Sequence, residues 1–167
     1  MRRPDLEAVA SIAAKAFPDH WEEPACFAER LSLAPSWCFA LDDGSGKLKG
    51  YLLGWPWPLG RIPPLNSLVG ALTKERQTVF IHDLALAPEA AGRGLAAAVV
   101  ERVTAQAVTA GFETIALVAV NNTAAFWRRQ GFREAEVEAG FREKLAAYGE
   151  DARYMVRAVR RAPCYET

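Results

Sequence analysis

Apolar residues recur at helical spacing near the amino terminus: Leu6, Val9, Ile12, Ala13, Ala16 and Phe17 follow Pro4 and Asp5, and Pro18 ends the run. This pattern predicts a first helix with one buried face. An acidic and aromatic link, Asp19-His20-Trp21-Glu22-Glu23, leads to Pro24, which opens a second helix reaching about Leu33 before Pro35. The period then shortens. Residues 37–41 and 48–55 read as strands around the turn Asp42-Asp43-Gly44-Ser45-Gly46, an antiparallel hairpin. Residues 56–78 hold four prolines (Pro56, Pro58, Pro63 and Pro64) among aromatics. The segment is longer than an ordinary connection, so a functional loop is expected there, with a short helix near 68–72.

A mostly apolar strand follows, Val79-Phe80-Ile81-His82-Asp83-Leu84-Ala85-Leu86, then Pro88, a glycine pair and an alanine-rich segment to Ala110. Leu95, Val99, Val103 and Ala107 repeat every four residues in that segment, which is therefore a helix with an apolar face, ended by Gly111. Residues 115–120 are apolar at every position, as in a strand covered on both faces and reached by a right-handed crossover. Asn122 is expected to cap a short helix that stops at Gly131-Phe132, and residues 153–159 alternate as a final strand.

Composition narrows the function classes. With 167 residues and 51% apolar content, the chain should form one domain over residues 1–167. Twenty basic and twenty acidic side chains cancel, so no global field favours nucleic acid or an anionic membrane, and any anion site must be local. Cys26, Cys38 and Cys164 lack disulfide-framework or zinc spacing, so no metal is expected and a reducing cytoplasm fits best. No apolar run approaches the roughly 20 residues that span a bilayer, which predicts a soluble protein.

A strand that leads through glycines into a helix makes a phosphate cradle, because the first turn offers unpaired N–H groups and a partial positive charge. Gly92-Arg93-Gly94-Leu95-Ala96-Ala97 also satisfies the GxGxxA dinucleotide fingerprint. That fingerprint requires an acidic residue at the carboxyl end of the next strand. Here Glu113 precedes the strand and Asn121 and Asn122 follow it, so a nicotinamide cofactor is disfavoured.

Two helices, antiparallel strands, a strand ending Leu84-Ala85-Leu86, Pro88, the glycine turn, and Asn121-Asn122 before Phe126-Trp127 and Gly131-Phe132 occur in that order over residues 5–159. This order resembles the GNAT superfamily of acyl-CoA N-acyltransferases. The resemblance implies an α/β (α+β) fold: a mixed, mostly antiparallel central sheet of about six strands, flanking helices and one parallel strand-helix-strand unit. It also implies acetyl-CoA as co-substrate and direct transfer of its acetyl group, in a ternary complex, to a primary amine on a small molecule or peptide. An acyl-CoA-binding regulatory domain without catalysis is the alternative, and a monomer or homodimer is expected. The family's pyrophosphate motif is Gln or Arg, two residues, Gly, one residue, then Gly or Ala. Gly94 and Ala96 match it, Ala91 stands in the first place, and Gly92, Arg93 and Leu95 complete the cradle. Leu84, Ala85 and Leu86 should follow the pantetheine arm, with Asn121, Asn122 and Phe126 on its other side. A backbone N–H near Leu84 or Ala85 should receive the oxyanion.

His82 is the candidate base, since imidazole titrates near neutrality and the family's aralkylamine N-acetyltransferases carry histidine at this place. In an extended strand His82 shares a face with Leu84, and Asp83 points away to a structural role. For the acid, the family usually has Tyr four residues before the Gly-Phe pair, where this chain has Trp127. An indole N–H is not a usable acid, which leaves Tyr154 as the candidate, with Tyr148 or water as substitutes. Trp21, Glu22 and Glu23 fall where the family binds acceptors and would favour a cationic amine, with Trp57 on the opposite wall. The chain begins almost at the first helix, so the family's first strand should be short or missing, leaving a sheet edge exposed or covered by a partner.

Overall fold

The computed structural model describes the chain except Asp43, Ser45, Glu75, Arg76 and residues 160–167. Cys164 and two residues of the expected hairpin turn thus lie outside the described residues. Helices α1 (Leu6–Ala16) and α2 (Pro24–Leu33) precede β1 (Cys38–Asp42) and β2 (Leu48–Trp57). Then come β3 (Thr78–Leu86), α3 (Leu95–Thr109), β4 (Thr114–Ala119), α4 (Ala124–Arg129), β5 (Arg133–Glu134), α5 (Arg142–Ala146) and β6 (Arg153–Ala158). The six strands form one sheet in the order β1-β2-β3-β4-β6-β5, antiparallel throughout except for β3 and β4.

Alternation along the strands divides the core. Leu53 joins Val9, Ala13, Phe27, Leu31, Tyr51 and Ala85 in a cluster under α1 and α2. Its neighbour Leu52 joins the larger cluster built on Trp55, Phe80, Ile115, Leu117 and the α3 residues Val99, Val103 and Ala107. Of the apolar run 115–120, residues 115–119 are all buried, and Val120, just past the end of β4, is half-buried.

Three local expectations change. Strand β2 runs on through Pro56 to Trp57, because β1 begins at Cys38 opposite Leu53 and the part of β2 beyond that pair is an edge on that side, where a proline is tolerated. No helix forms at 68–72; instead the Glu29 carboxylate receives the N–H groups of Val69 and Gly70 at 2.6 and 2.8 Å and fastens the loop to α2. The residue flanking α4 is Thr123 rather than Asn122: Asn121 and Asn122 take left-handed φ of 53° and 58°, which asparagine tolerates better than most residues, and no side chain caps the helix. No strand precedes α1 among the described residues, so β1 is an edge strand, and the Met1 ammonium donates to the Cys38 carbonyl at 3.1 Å. No helix among the described residues is long and apolar enough to cross a membrane.

Two irregularities of β3 position the site. The β2–β3 register runs Leu53↔Asp83 and then Gly54↔Ile81, so His82 is the extra residue of a bulge. The parallel pairing of β3 with β4 stops at Ile81↔Leu117, although both strands continue. The sheet therefore splits at the bulge and opens a cleft between Leu84 and Leu86 on one side and Val118 and Val120 on the other.

Candidate active site

The His82 imidazole sits at the fork of the split, 1% exposed, with its ring centroid 5.1 Å from that of Trp55. Its Nε2 lies 3.1 Å from Oε2 of Glu22, which reaches it from the α1–α2 link. Arg30, from α2, donates to both Glu22 oxygens at 2.5 and 2.6 Å, and the Asn66 N–H donates to Oε1 at 2.9 Å. The guanidinium is itself buried over Trp55.

Burial alone would push the Glu22 carboxyl up, but the hydrogen bonds from Arg30 and His82 outweigh it and hold the group well below the usual carboxylate range. An ionised carboxylate only accepts, so it fixes the proton of neutral His82 on Nε2 and leaves the lone pair on Nδ1. That Nδ1 is buried and has no partner among the described residues.

Asp83 does not point away from His82. The bulge breaks the alternation, and a carboxylate oxygen of Asp83 lies within 4.8 Å of ligand atoms on both Glu22 and His82. Tyr51 donates its hydroxyl to Asp83 at 3.1 Å, and burial pushes the Asp83 carboxyl up. Three such groups could face a cation, but both Glu22 oxygens are already held by the Arg30 guanidinium, whose charge opposes one.

The cleft has a volume of about 200 Å³. Leu84, Leu86, Ala96 and Phe126 line it together with Trp127, and so do Phe17, His20, Leu65 and Tyr148. The Ala85 side chain packs on the opposite face with Tyr51 and Leu53. Asn121 and Asn122 do not line the cleft; their neighbours Val120 and Thr123 do. Gly92 and Gly94, just before the lining residue Ala96, adopt φ of 73° and 76°, and a Cβ on either would meet nothing within 4 Å. Gly94 caps α3, whose first turn carries the free N–H groups that a helix start always offers. Arg93 is exposed beside it and Leu95 is half-buried.

Other expected residues lie elsewhere. Tyr154 is buried on β6 and is not among the residues that line the cleft, and its hydroxyl accepts the Gly60 N–H at 2.9 Å. Tyr154→Phe should leave kcat within about twofold and lower stability by about 1 kcal/mol, read by denaturant unfolding. Tyr148 does line the cleft, but it donates to the Pro63 carbonyl at 2.9 Å and burial pushes its hydroxyl pKa far up. Trp21 is 53% exposed and lies outside the cleft. Glu23 is exposed, its N–H donating to Asn66 at 2.7 Å. Trp57 stacks edge-on against Trp55 rather than facing the cleft.

The sequence reading does not single out Arg30 or His20. Arg30 did leave a signal, a basic residue in helical register with Cys26, Phe27 and Leu31, all of them buried.

The model of the acetyltransferase (GNAT) family matches residues 6–132. Among solved structures, the chain is similar to the GNAT-like decarboxylase GphF in complex with isobutyryl-CoA, with a TM-score of 0.76 and 16% identity over 96% of this chain and 97% of that one. It is also similar to the ribosomal-protein-S18-alanine N-acetyltransferase of Escherichia coli, with a TM-score of 0.68 and 18% identity over 100% and 96% of the two chains. Chaetomium thermophilum Naa20, solved with a bisubstrate analogue, gives a TM-score of 0.68 and 20% identity over 99% and 88%. No curated protein sequence matches the chain. The chain belongs to the acetyltransferase (GNAT) family. It is an acyltransferase, with acetyl-CoA as its co-substrate.

Proposed function

We propose that this chain is a single-domain N-acetyltransferase that moves the acetyl group of acetyl-CoA directly to a primary amine, with His82 as general base. The observation that carries this reading is the buried Arg30–Glu22–His82 chain at the fork of the split sheet, which leaves a buried, partnerless Nδ1 on a residue that lines the cleft. Gly92 to Ala96 would hold the pyrophosphate on backbone N–H groups, with room in front of both glycines. Leu84 and Leu86 would flank the pantetheine arm opposite Phe126. Beyond Ile81 the β4-facing edge of β3 is not paired with β4, which supports a main-chain donor near Leu84 or Ala85 for the oxyanion.

Acetyl-CoA supplies a thioester whose C–S bond breaks as the C–N bond forms, the thiolate leaving with the bonding pair. His82 Nδ1 takes one proton from the attacking nitrogen, and that proton then passes to the thiolate, so the imidazole ends as it began. Tyr154 and Tyr148 have no part in this transfer.

The cationic acceptor expected from Glu22 and Glu23 is replaced by one with an apolar body. Arg30 neutralises Glu22, Tyr51 engages Asp83, and Phe17 and Leu65 line the cleft. The acceptor is a small molecule or a peptide amine of that kind. Two buried free thiols, Cys26 and Cys38, suit a reducing compartment such as the cytoplasm.

A thiol-detection assay with a panel of primary amines tests the activity. Free CoA should appear only when acetyl-CoA and an amine are both present. Thermal stabilisation by acetyl-CoA without turnover on any amine would overturn transfer and leave a binding domain. Gly94→Ala should lower stability by about 1–2 kcal/mol, since alanine is strained at this φ. It should also raise the KM for acetyl-CoA with little change in the KM for the amine.

A further inference from the structure

The chain has two histidines, His20 and His82, and both line the same cleft. His20 comes from the α1–α2 link, two residues before Glu22. Its Nε2 lies 2.8 Å from the Tyr148 carbonyl oxygen. A carbonyl only accepts, so Nε2 carries the proton, and the lone pair of the neutral ring is on Nδ1. That Nδ1 too is buried and has no partner among the described residues. The two rings thus repeat one arrangement: Nε2–H is tied to the protein, by Glu22 in one case and by the Tyr148 carbonyl in the other, and a bare Nδ1 acceptor remains. Buried polar atoms are rarely left unpaired, and both rings belong to residues that line one small cleft, so a ligand with two N–H donors would satisfy them.

We propose that His20 Nδ1 and His82 Nδ1 together receive the two N–H groups of a neutral primary amine, His20 orienting the nitrogen while His82 takes its proton. The assignment rests on the N-acetyltransferase reading. It makes His20 a specificity-determining residue: a secondary amine has one N–H and leaves one of the two acceptors unpaired, and such a site rejects the analogue strongly.

Two substitutions separate this role from a structural one. In His20→Gln the side-chain amide can still donate to the Tyr148 carbonyl but offers no acceptor at the Nδ1 position. His20→Asn supplies an oxygen near that position and gives up the bond to Tyr148. His20→Gln should raise the KM for 2-phenylethylamine about tenfold or more, with the KM for acetyl-CoA unchanged. His20→Asn should stay within a few-fold of the wild type. N-methylation of the amine should lower kcat/KM about tenfold in the wild type and much less in His20→Gln, because the acceptor it starves is already gone. A wild-type KM in His20→Gln, or equal losses in the two variants, would overturn the assignment while leaving the transfer reading intact. Imidazole nitrogen NMR of the CoA complex titrated with 2-phenylethylamine provides a second readout. Shifts of both Nδ1 resonances without any turnover would keep the paired-acceptor site and discard transfer; no shift at His20 would discard the site.

Discussion

Replacing His82 with alanine is expected to lower kcat/KM for amine acetylation by about 100- to 10,000-fold, the range a positioned general base contributes. The loss should fall on kcat, since the base acts in the chemical step, while the KM for acetyl-CoA moves little because the glycine turn and the cleft walls at Leu84 and Phe126 are untouched. The fold should survive, because Glu22 keeps both Arg30 hydrogen bonds and the Asn66 N–H when the imidazole is gone. Added imidazole should recover part of the rate by entering the vacated space. The pH–rate profile provides the sharper check: the limb that reflects deprotonation of the base should vanish in the variant. A variant whose profile keeps the wild-type shape would remove His82 from the chemistry and make it one more buried ring against Trp55.

How far the sequence reaches toward this site depends on whether a feature carries a side-chain signature. The crossover from β3 through α3 to β4 does, in the four-residue repeat of Leu95, Val99, Val103 and Ala107 and in the unbroken apolar run of β4. Gly94 does too, because a left-handed residue at a helix start strongly favours glycine. The bulge at His82 has none, since an extra residue in one strand is defined only by what its partner strand does. Strict alternation therefore turned Asp83 away from a cluster that it joins. From the sequence the α1–α2 link reads as an acceptor site favouring a cation, because Arg30 is eight residues on and its inward side chain is distinguished only by its apolar neighbours. Tyr154 suits the acid only by its chemistry, and β6 lies beyond β4 in the sheet, with the Tyr154 hydroxyl accepting the Gly60 N–H. Periodicity thus gives the frame of the site, while the hydrogen-bonded chain inside it depends on tertiary contacts between distant segments.

Glu22→Gln should be the most destabilising of the substitutions considered, by about 3–5 kcal/mol at pH 7, the range for removing one partner of a buried ion pair. The Arg30 side chain is only 1% exposed, so the variant leaves a guanidinium in the core without a counter-charge. Arg30→Met added to Glu22→Gln should recover much of the loss, since an apolar group of similar length removes the stranded charge. The pH dependence has a definite sign. The Glu22 pKa lies well below its ordinary value of 4.5 in the folded chain, so its contribution is complete above about pH 4.5 and drains away as the pH falls toward the folded value. Glutamine does not titrate, so the stability gap between the two proteins should narrow steadily below pH 4.5. Asp83, whose folded pKa is raised, contributes in the opposite direction: its share is complete at low pH and lost as the pH rises through the folded value. Asp83 is common to both proteins and burial, the main cause of its shift, is unchanged, so only the smaller part that comes from the Glu22 charge enters the difference. Urea unfolding at a series of pH values between 3 and 7 measures the gap directly, and an equal gap at both ends would mean that Glu22 is not held ionised in the fold. The same variant should lose activity through kcat, because an amide can donate to Nε2 as well as accept from it and no longer holds the imidazole lone pair on Nδ1.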